Sequence, residues 1–134
     1  MKIIIDTNVW ISFLLGKRLS SLRNIFAHNE IKIYVSDTLL NEIRDVAGRK
    51  KFQGKINPDS LFLLYELIQQ RCIFVTPGEI SEISVRDQKD AFLLQMAHDV
   101  SADYLITGDQ DLLILKNFEG TTVITFAEFL PYFK

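Results

Sequence analysis

Short apolar runs rich in Ile, Val, Tyr and Phe alternate along this chain with stretches whose apolar residues recur every three or four positions. That order favours a mostly parallel sheet, because each crossover lays a helix against one face and both faces end up covered. Strands are predicted at Lys2–Ile5, Ile31–Val35, Cys72–Thr76, Tyr104–Thr107 and Thr122–Thr125. Helices are predicted at Val9–Leu15, Leu19–His28, Thr38–Ala47, Pro58–Gln70, Gln88–Val100 and Phe126–Tyr132. Local signals agree: Ser36 can cap the third helix, Asn57-Pro58 can open the fourth, and Thr125 with Glu128 has capping-box spacing. The expected fold is a three-layer α/β/α sandwich about a parallel sheet of about five strands. With 134 residues, 48% of them hydrophobic, one domain over residues 1–134 can bury a real core. The pattern is weakest at residues 47–57, where glycines and lysines suggest a mobile connection.

Charge excludes a global mode of polyanion binding. Lys+Arg 15 against Asp+Glu 17 leaves a formal net charge of -2, so any nucleic acid must be drawn by a local basic patch or by metal. A lone cysteine, Cys72, cannot form an internal disulfide and suits a reducing, cytoplasmic setting. The opening run is cut short by Asp6, and no stretch approaches the ~18 apolar residues of a membrane span. Neither a targeting segment nor a membrane association is expected.

Four acids fall where such a sheet would gather them. Asp6 and Asp109 each follow an apolar strand run, at the carboxyl edge where open α/β sheets place their ligands. Asp6 could instead cap the next helix, but capping would not explain the matching acid after another strand. Glu42 projects between Leu39 and Val46 on an apolar helical stripe. It could alternatively snorkel there or pair with Arg44, Arg49 or Lys50. Asp90 projects between Leu94 and Ala97, although Asp87 and Asp90 also have the spacing of a helix cap with an acidic third residue. Asp111, two residues past Asp109, is either a further ligand or an acid favouring a helix dipole. Asn8 could lend an amide oxygen or simply belong to a turn.

Carboxylates converging from separate elements suit a hard cation, Mg²⁺ or Mn²⁺, that takes oxygen ligands and keeps several waters. Zinc is disfavoured, since His28, His98 and Cys72 show no ligand spacing. No serine–histidine or cysteine–histidine pairing, phosphate loop or Rossmann glycine pattern is present, leaving metal-activated water as the reagent and a phosphodiester as the natural target. A local basic patch follows the Glu42 helix. Arg44, Arg49, Lys50, Lys51 and Lys55 could steer a phosphate backbone, joined by Lys17 and Arg18, while Phe52 could stack a base. Each of these is equally well read as part of a solvated loop or helix end.

On these residues the chain resembles the PIN-domain family, small Mg²⁺- or Mn²⁺-dependent ribonucleases that include many toxins of toxin–antitoxin pairs. "DTNVWISFL", "SDTLLNEI", "DQKDAFLLQMA" and "ADYLITGDQDLL" look like its four acidic motifs, in order. The resemblance implies that Asp6, Glu42, Asp90 and Asp109 form the catalytic metal site, with Asp111 as accessory ligand. It further implies a strand order of 3-2-1-4-5, which would set the first and fourth strands side by side. The long loop after the second motif looks most like a toxin, VapC-like subgroup. Kinship of that sort implies an RNA substrate, a homodimer, and a small antitoxin as partner. Two other readings stay open: a non-catalytic RNA- or protein-binding module, and a haloacid-dehalogenase-like phosphatase using Asp6 as nucleophile, which would usually want an aspartate where Asn8 stands.

Overall fold

The computed structural model describes residues 1–16, 19–76 and 91–132. Asp87 and Asp90, and Lys17 and Arg18 of the expected basic patch, lie outside the described residues. The elements run β1 (Lys2–Ile5), α1 (Thr7–Leu15), α2 (Leu19–Ala27), β2 (Lys32–Val35), α3 (Asp37–Ala47), a 3₁₀ turn at Lys50–Phe52, and α4 (Pro58–Arg71). They continue with β3 (Ile73–Phe74), α5 (Ala91–Val100), β4 (Tyr104–Ile106), α6 (Gln110–Leu113), β5 (Asn117–Phe118), β6 (Thr121–Ile124), α7 (Phe126–Phe129) and a closing 3₁₀ turn at Leu130–Tyr132.

The sheet is ordered β3-β2-β1-β4-β6-β5. Its five parallel members follow the expected 3-2-1-4-5 order, with the fifth predicted strand now β6. The expectation of about five strands is corrected by a sixth, β5, which pairs antiparallel with β6 at the sheet's edge. Between them, Glu119 and Gly120 turn the chain at positive φ, 49° and 92°; glycine enters that region at no steric cost, and the tight turn carries Glu119 with it.

Burial explains why β1 and β4 lie at the centre. Ile3, Ile4, Ile5, Leu105 and Ile106 are all 0% exposed, as required of strands with helices on both sides. Each such side chain contributes roughly 1.5–3 kcal/mol of apolar burial. Helix α5 packs on β1 and β4, while α3 packs on α1. Rings tie α1 to its neighbours: Trp10 lies 6.5 Å from Phe26 of α2, and Phe13 lies edge-on 5.1 Å from Phe126 of α7. No described helix is long and apolar enough to cross a membrane.

The caps form as expected. Ser36 accepts from the Leu39 N–H, Asn57 from the Asp59 N–H, and Thr125 and Glu128 complete a reciprocal capping box. The expectation of a mobile connection at 47–57 is replaced by a built turn, with backbone bonds from Phe52 to Arg49 and from Lys55 to Phe52. Phe52 and Ile56 are partly buried against the core there, and apolar burial holds the segment that its glycines suggested was loose.

Candidate active site at the carboxyl edge of the sheet

The adjacency of β1 and β4 does most to build the site. Their register pairs Ile5 with Ile106, so the residues that follow, Asp6 and Thr107, leave the sheet side by side. The Asp6 N–H bonds the Ile106 carbonyl at 2.9 Å, extending the ladder one step beyond β1. Asp6 then occupies the N-cap of α1, and its carbonyl accepts from the N–H groups of Val9 and Trp10. Its side chain makes no such cap bond. Instead Oδ2 accepts from the Thr107 hydroxyl at 2.7 Å. Helix capping therefore does not account for this carboxylate.

Two threonines organise the acids. Thr107, fully buried, donates to Asp6 and accepts the Asp109 N–H at 3.0 Å. Thr7 donates to Glu42 Oε2 at 2.7 Å, across the α1–α3 contact. Leu39, Ile43 and Val46 turn α3 inward, leaving Glu42 half-buried at the stripe's edge and bonded to Thr7 rather than paired with a nearby arginine or lysine. Asp109 caps the short α6, with Oδ1 accepting the Asp111 N–H at 2.9 Å. Sequence reasoning missed both threonines as members of the site.

Burial pushes the Asp6 carboxyl above the usual aspartate range. The Thr107 hydroxyl and the Thr7 backbone oppose that rise, and the charges of Glu42 and Asp109 add to it. Like charges held near one another in a poorly solvated place make a site that favours either a proton or a cation. Among the described residues, no ion pair joins Asp6, Glu42 or Asp109 to a lysine, arginine or histidine.

The donor chemistry fits a hard cation, since each of these acids offers oxygen and no thiol or imidazole joins them. Among the described residues, no three His, Cys, Asp or Glu side chains stand close enough together to hold a metal ion. Asp90, the fourth predicted ligand, lies outside them. Asp111 is half-buried in the first turn of α6. His98 contacts Glu119 at 2.5 Å, away from the acids, and burial pushes the Cys72 thiol up to about 12, leaving it inert.

The expected basic patch is only partly available to a ligand. Arg44, Arg49, Lys50, Lys51 and Lys55 are exposed. Phe52, expected to stack a base, packs against the core, with the Lys51 ammonium 5.0 Å from its ring centroid. A side chain fixed on both counts is poorly placed to open onto a base.

Comparison with known proteins agrees with this architecture. The PIN domain family model matches residues 2–111, and the chain belongs to that family, whose members are in the main nucleases. It is similar in structure to PAE2754 from Pyrobaculum aerophilum, with a TM-score of 0.65 and 13% identity over 98% of this chain and 88% of that one. It is also similar to a chain of VapBC2 from Rickettsia felis bound to a DNA fragment from their promoter, with a TM-score of 0.57 and 14% identity over 92% of this chain and 97% of that one. No curated protein sequence matches the chain. Family membership displaces the haloacid-dehalogenase-like alternative.

Proposed function

We propose that this chain is a Mg²⁺- or Mn²⁺-dependent endoribonuclease, the toxin of a toxin–antitoxin pair. The observation that supports the reading is the buried Asp6 carboxylate where β1 ends beside β4, its proton affinity raised by burial and further by the charges of Glu42 on α3 and Asp109 after β4. Asp6, Glu42, Asp90 and Asp109 would hold the metal, with Asp111 as accessory. Glu42 Oε2 and Asp109 Oδ1 already accept protein hydrogen bonds, so Oε1 and Oδ2 are the oxygens they would offer. A divalent ion bound there would lower the pKa of a water and offset charge on the attacked phosphodiester. The protein's part is to hold the carboxylates: Thr107 fixes Asp6 and Asp109 relative to each other, and Thr7 fixes Glu42.

Arg44, Arg49, Lys50, Lys51 and Lys55 would steer the RNA strand. Hydrolysis by water predicts 5′-phosphate and 3′-hydroxyl ends. The antitoxin partner rests on the likeness to a VapBC2 chain, and the homodimer and cytoplasmic setting on kinship and composition. The test is incubation of labelled single-stranded RNA and DNA with Mg²⁺, with Mn²⁺ and with chelator, using the parent and Asp6→Asn. RNA should be cut only with metal and only by the parent. Full activity in Asp6→Asn, or turnover in chelator, would overturn the proposal. RNA binding without turnover at any metal concentration would identify a non-catalytic module instead.

A further inference from the structure

Next to the acids lies a second feature that the proposed chemistry does not use. A cleft of ≈ 290 Å³ opens between α1 and the start of α7, across the ends of β4 and β6. Thr107 lines it, and the same hydroxyl side chain holds Asp6, so cleft and acids are one residue apart. Its volume lies at the small end of the ~300–1,000 Å³ usual for ligand clefts, room for one nucleoside rather than an extended strand.

The lining says what kind of group fits. No charged side chain contributes, which is wrong for a phosphate and for a cation. Ser12 spends its proton on the Val9 carbonyl at 2.6 Å, and Thr125 spends its own on Glu128 at 3.0 Å while also accepting the Glu128 N–H, which leaves Ser12 the freer acceptor. A hydroxyl whose proton is committed turns lone pairs to a ligand and asks it for a donor. Asn8, exposed at the rim, offers both a donor and an acceptor, while Phe126 supplies an apolar wall. Phe126 already meets Phe13 edge-on, so it is a wall rather than a free stacking platform. A neutral ligand with O–H and N–H donors and an apolar body matches this surface. A ribonucleoside is such a ligand, and its 2′-hydroxyl adds a donor that DNA lacks.

We infer that this cleft seats the ribonucleoside beside the phosphodiester that is cut, with Asn8 and Ser12 contacting its sugar and base edge. The inference rests on the proposed function and names a subsite for its substrate. Gly108 and Ala127 mark the open side. A Cβ at Gly108 would meet nothing within 4 Å, and Ala127 is exposed, so bulk can be added there without entering the core.

The test measures binding apart from cutting, in the full chain carrying Asp6→Asn. A short single-stranded RNA and its DNA counterpart are titrated while the backbone amides of Asn8, Ser12 and Gly108 are followed by ¹H–¹⁵N NMR. RNA should shift these amides and DNA should bind more weakly. Adding Ala127→Trp should weaken RNA binding about tenfold, the scale of one lost nucleoside contact. Ser12→Ala, which removes an acceptor and little volume, should weaken RNA more than DNA. Unmoved amides, or undiminished RNA affinity in a folded Ala127→Trp protein, would overturn the subsite. A parent that never cuts RNA would instead overturn the proposed function, and the amide shifts would still judge the cleft.

Discussion

The acids at the strand ends and the bases after α3 carry charge in opposite physical regimes. Asp6 is 4% exposed, fixed by a register that spans the chain, and bonded to a residue 101 positions away. Lys50 and Lys51 stand in water on a one-turn segment, and Lys55 is exposed just after it. In the first region desolvation makes the Asp6 charge costly, the Thr107 hydroxyl opposes that cost and the like charges of Glu42 and Asp109 add to it. In the second, solvent and salt screen the charges, and no single lysine should matter much. Chemistry is therefore expected from the first region and attraction of the substrate from the second.

The comparison is most easily broken at Thr107. Thr107→Val keeps the shape of the side chain but removes the donor to Asp6 and the acceptor for the Asp109 N–H. Partners of this kind around metal ligands are worth ~10–100-fold in metal affinity or activity, and Asp6→Asn should cost more than that. Isothermal titration with Mn²⁺ and cleavage assays at saturating metal would separate lost affinity from lost rate, and Thr107→Ser should restore both. Thr7→Val, which frees only the half-buried Glu42, should cost less. Wild-type behaviour in Thr107→Val would show that the acids place themselves.

A smaller effect concerns stability without metal. Asp6 has a folded-state pKa raised above the ordinary 3.8, chiefly by burial. The native state therefore holds its proton more tightly than the unfolded chain does. Its contribution is fully present below pH 3.8 and is lost as pH rises through the raised value. Asp6→Asn removes that loss, since an asparagine oxygen can still accept from Thr107. In chelator at pH 7 the variant should melt higher than the parent, by about 4 °C if the gain is near 1 kcal/mol, and the difference should shrink toward pH 3.8. Adding Mn²⁺ should raise the parent's Tm and close the gap. A parent more stable than Asp6→Asn throughout the range would show that its carboxylate is not under strain.

How far the sequence revealed these regions follows the same division. Asp6 and Asp109 were legible because each ends an apolar run, and a charge there has few structural excuses. Glu42 was legible from its projection between Leu39 and Val46, but its alternatives could not be separated until Thr7 appeared as its partner. Thr7 and Thr107 were not legible as site members, because threonine is ordinary at helix starts and in strands and their partners lie 35 and 101 residues away. The one available signal was Thr107 standing just before Gly108-Asp109. Strand β5 escaped because two residues show no alternation, and because Lys116 and Glu119 adopt positive φ, 61° and 49°, without a residue type that announces it. The packing of Phe52 was not legible for a related reason: among glycines and lysines an aromatic reads as exposed, and only the packed turn shows it partly buried against the core.

The smallest effects should come from the basic segment, and their form would sharpen the contrast most. Replacing Lys50, Lys51 and Lys55 together by alanine should raise KM for RNA several-fold at low salt and leave kcat unchanged, as expected of solvent-exposed charges that act by attraction alone. The log–log dependence of binding on salt should flatten by roughly 0.7 for each phosphate contact removed from a single strand. At high salt, parent and triple variant should converge. By contrast, losses caused by Thr107→Val should persist at any ionic strength, since a buried hydrogen bond is little screened. A salt slope left intact would show that the segment makes no phosphate contact and does not steer, whereas a triple variant that lost kcat would place it against the reacting strand itself.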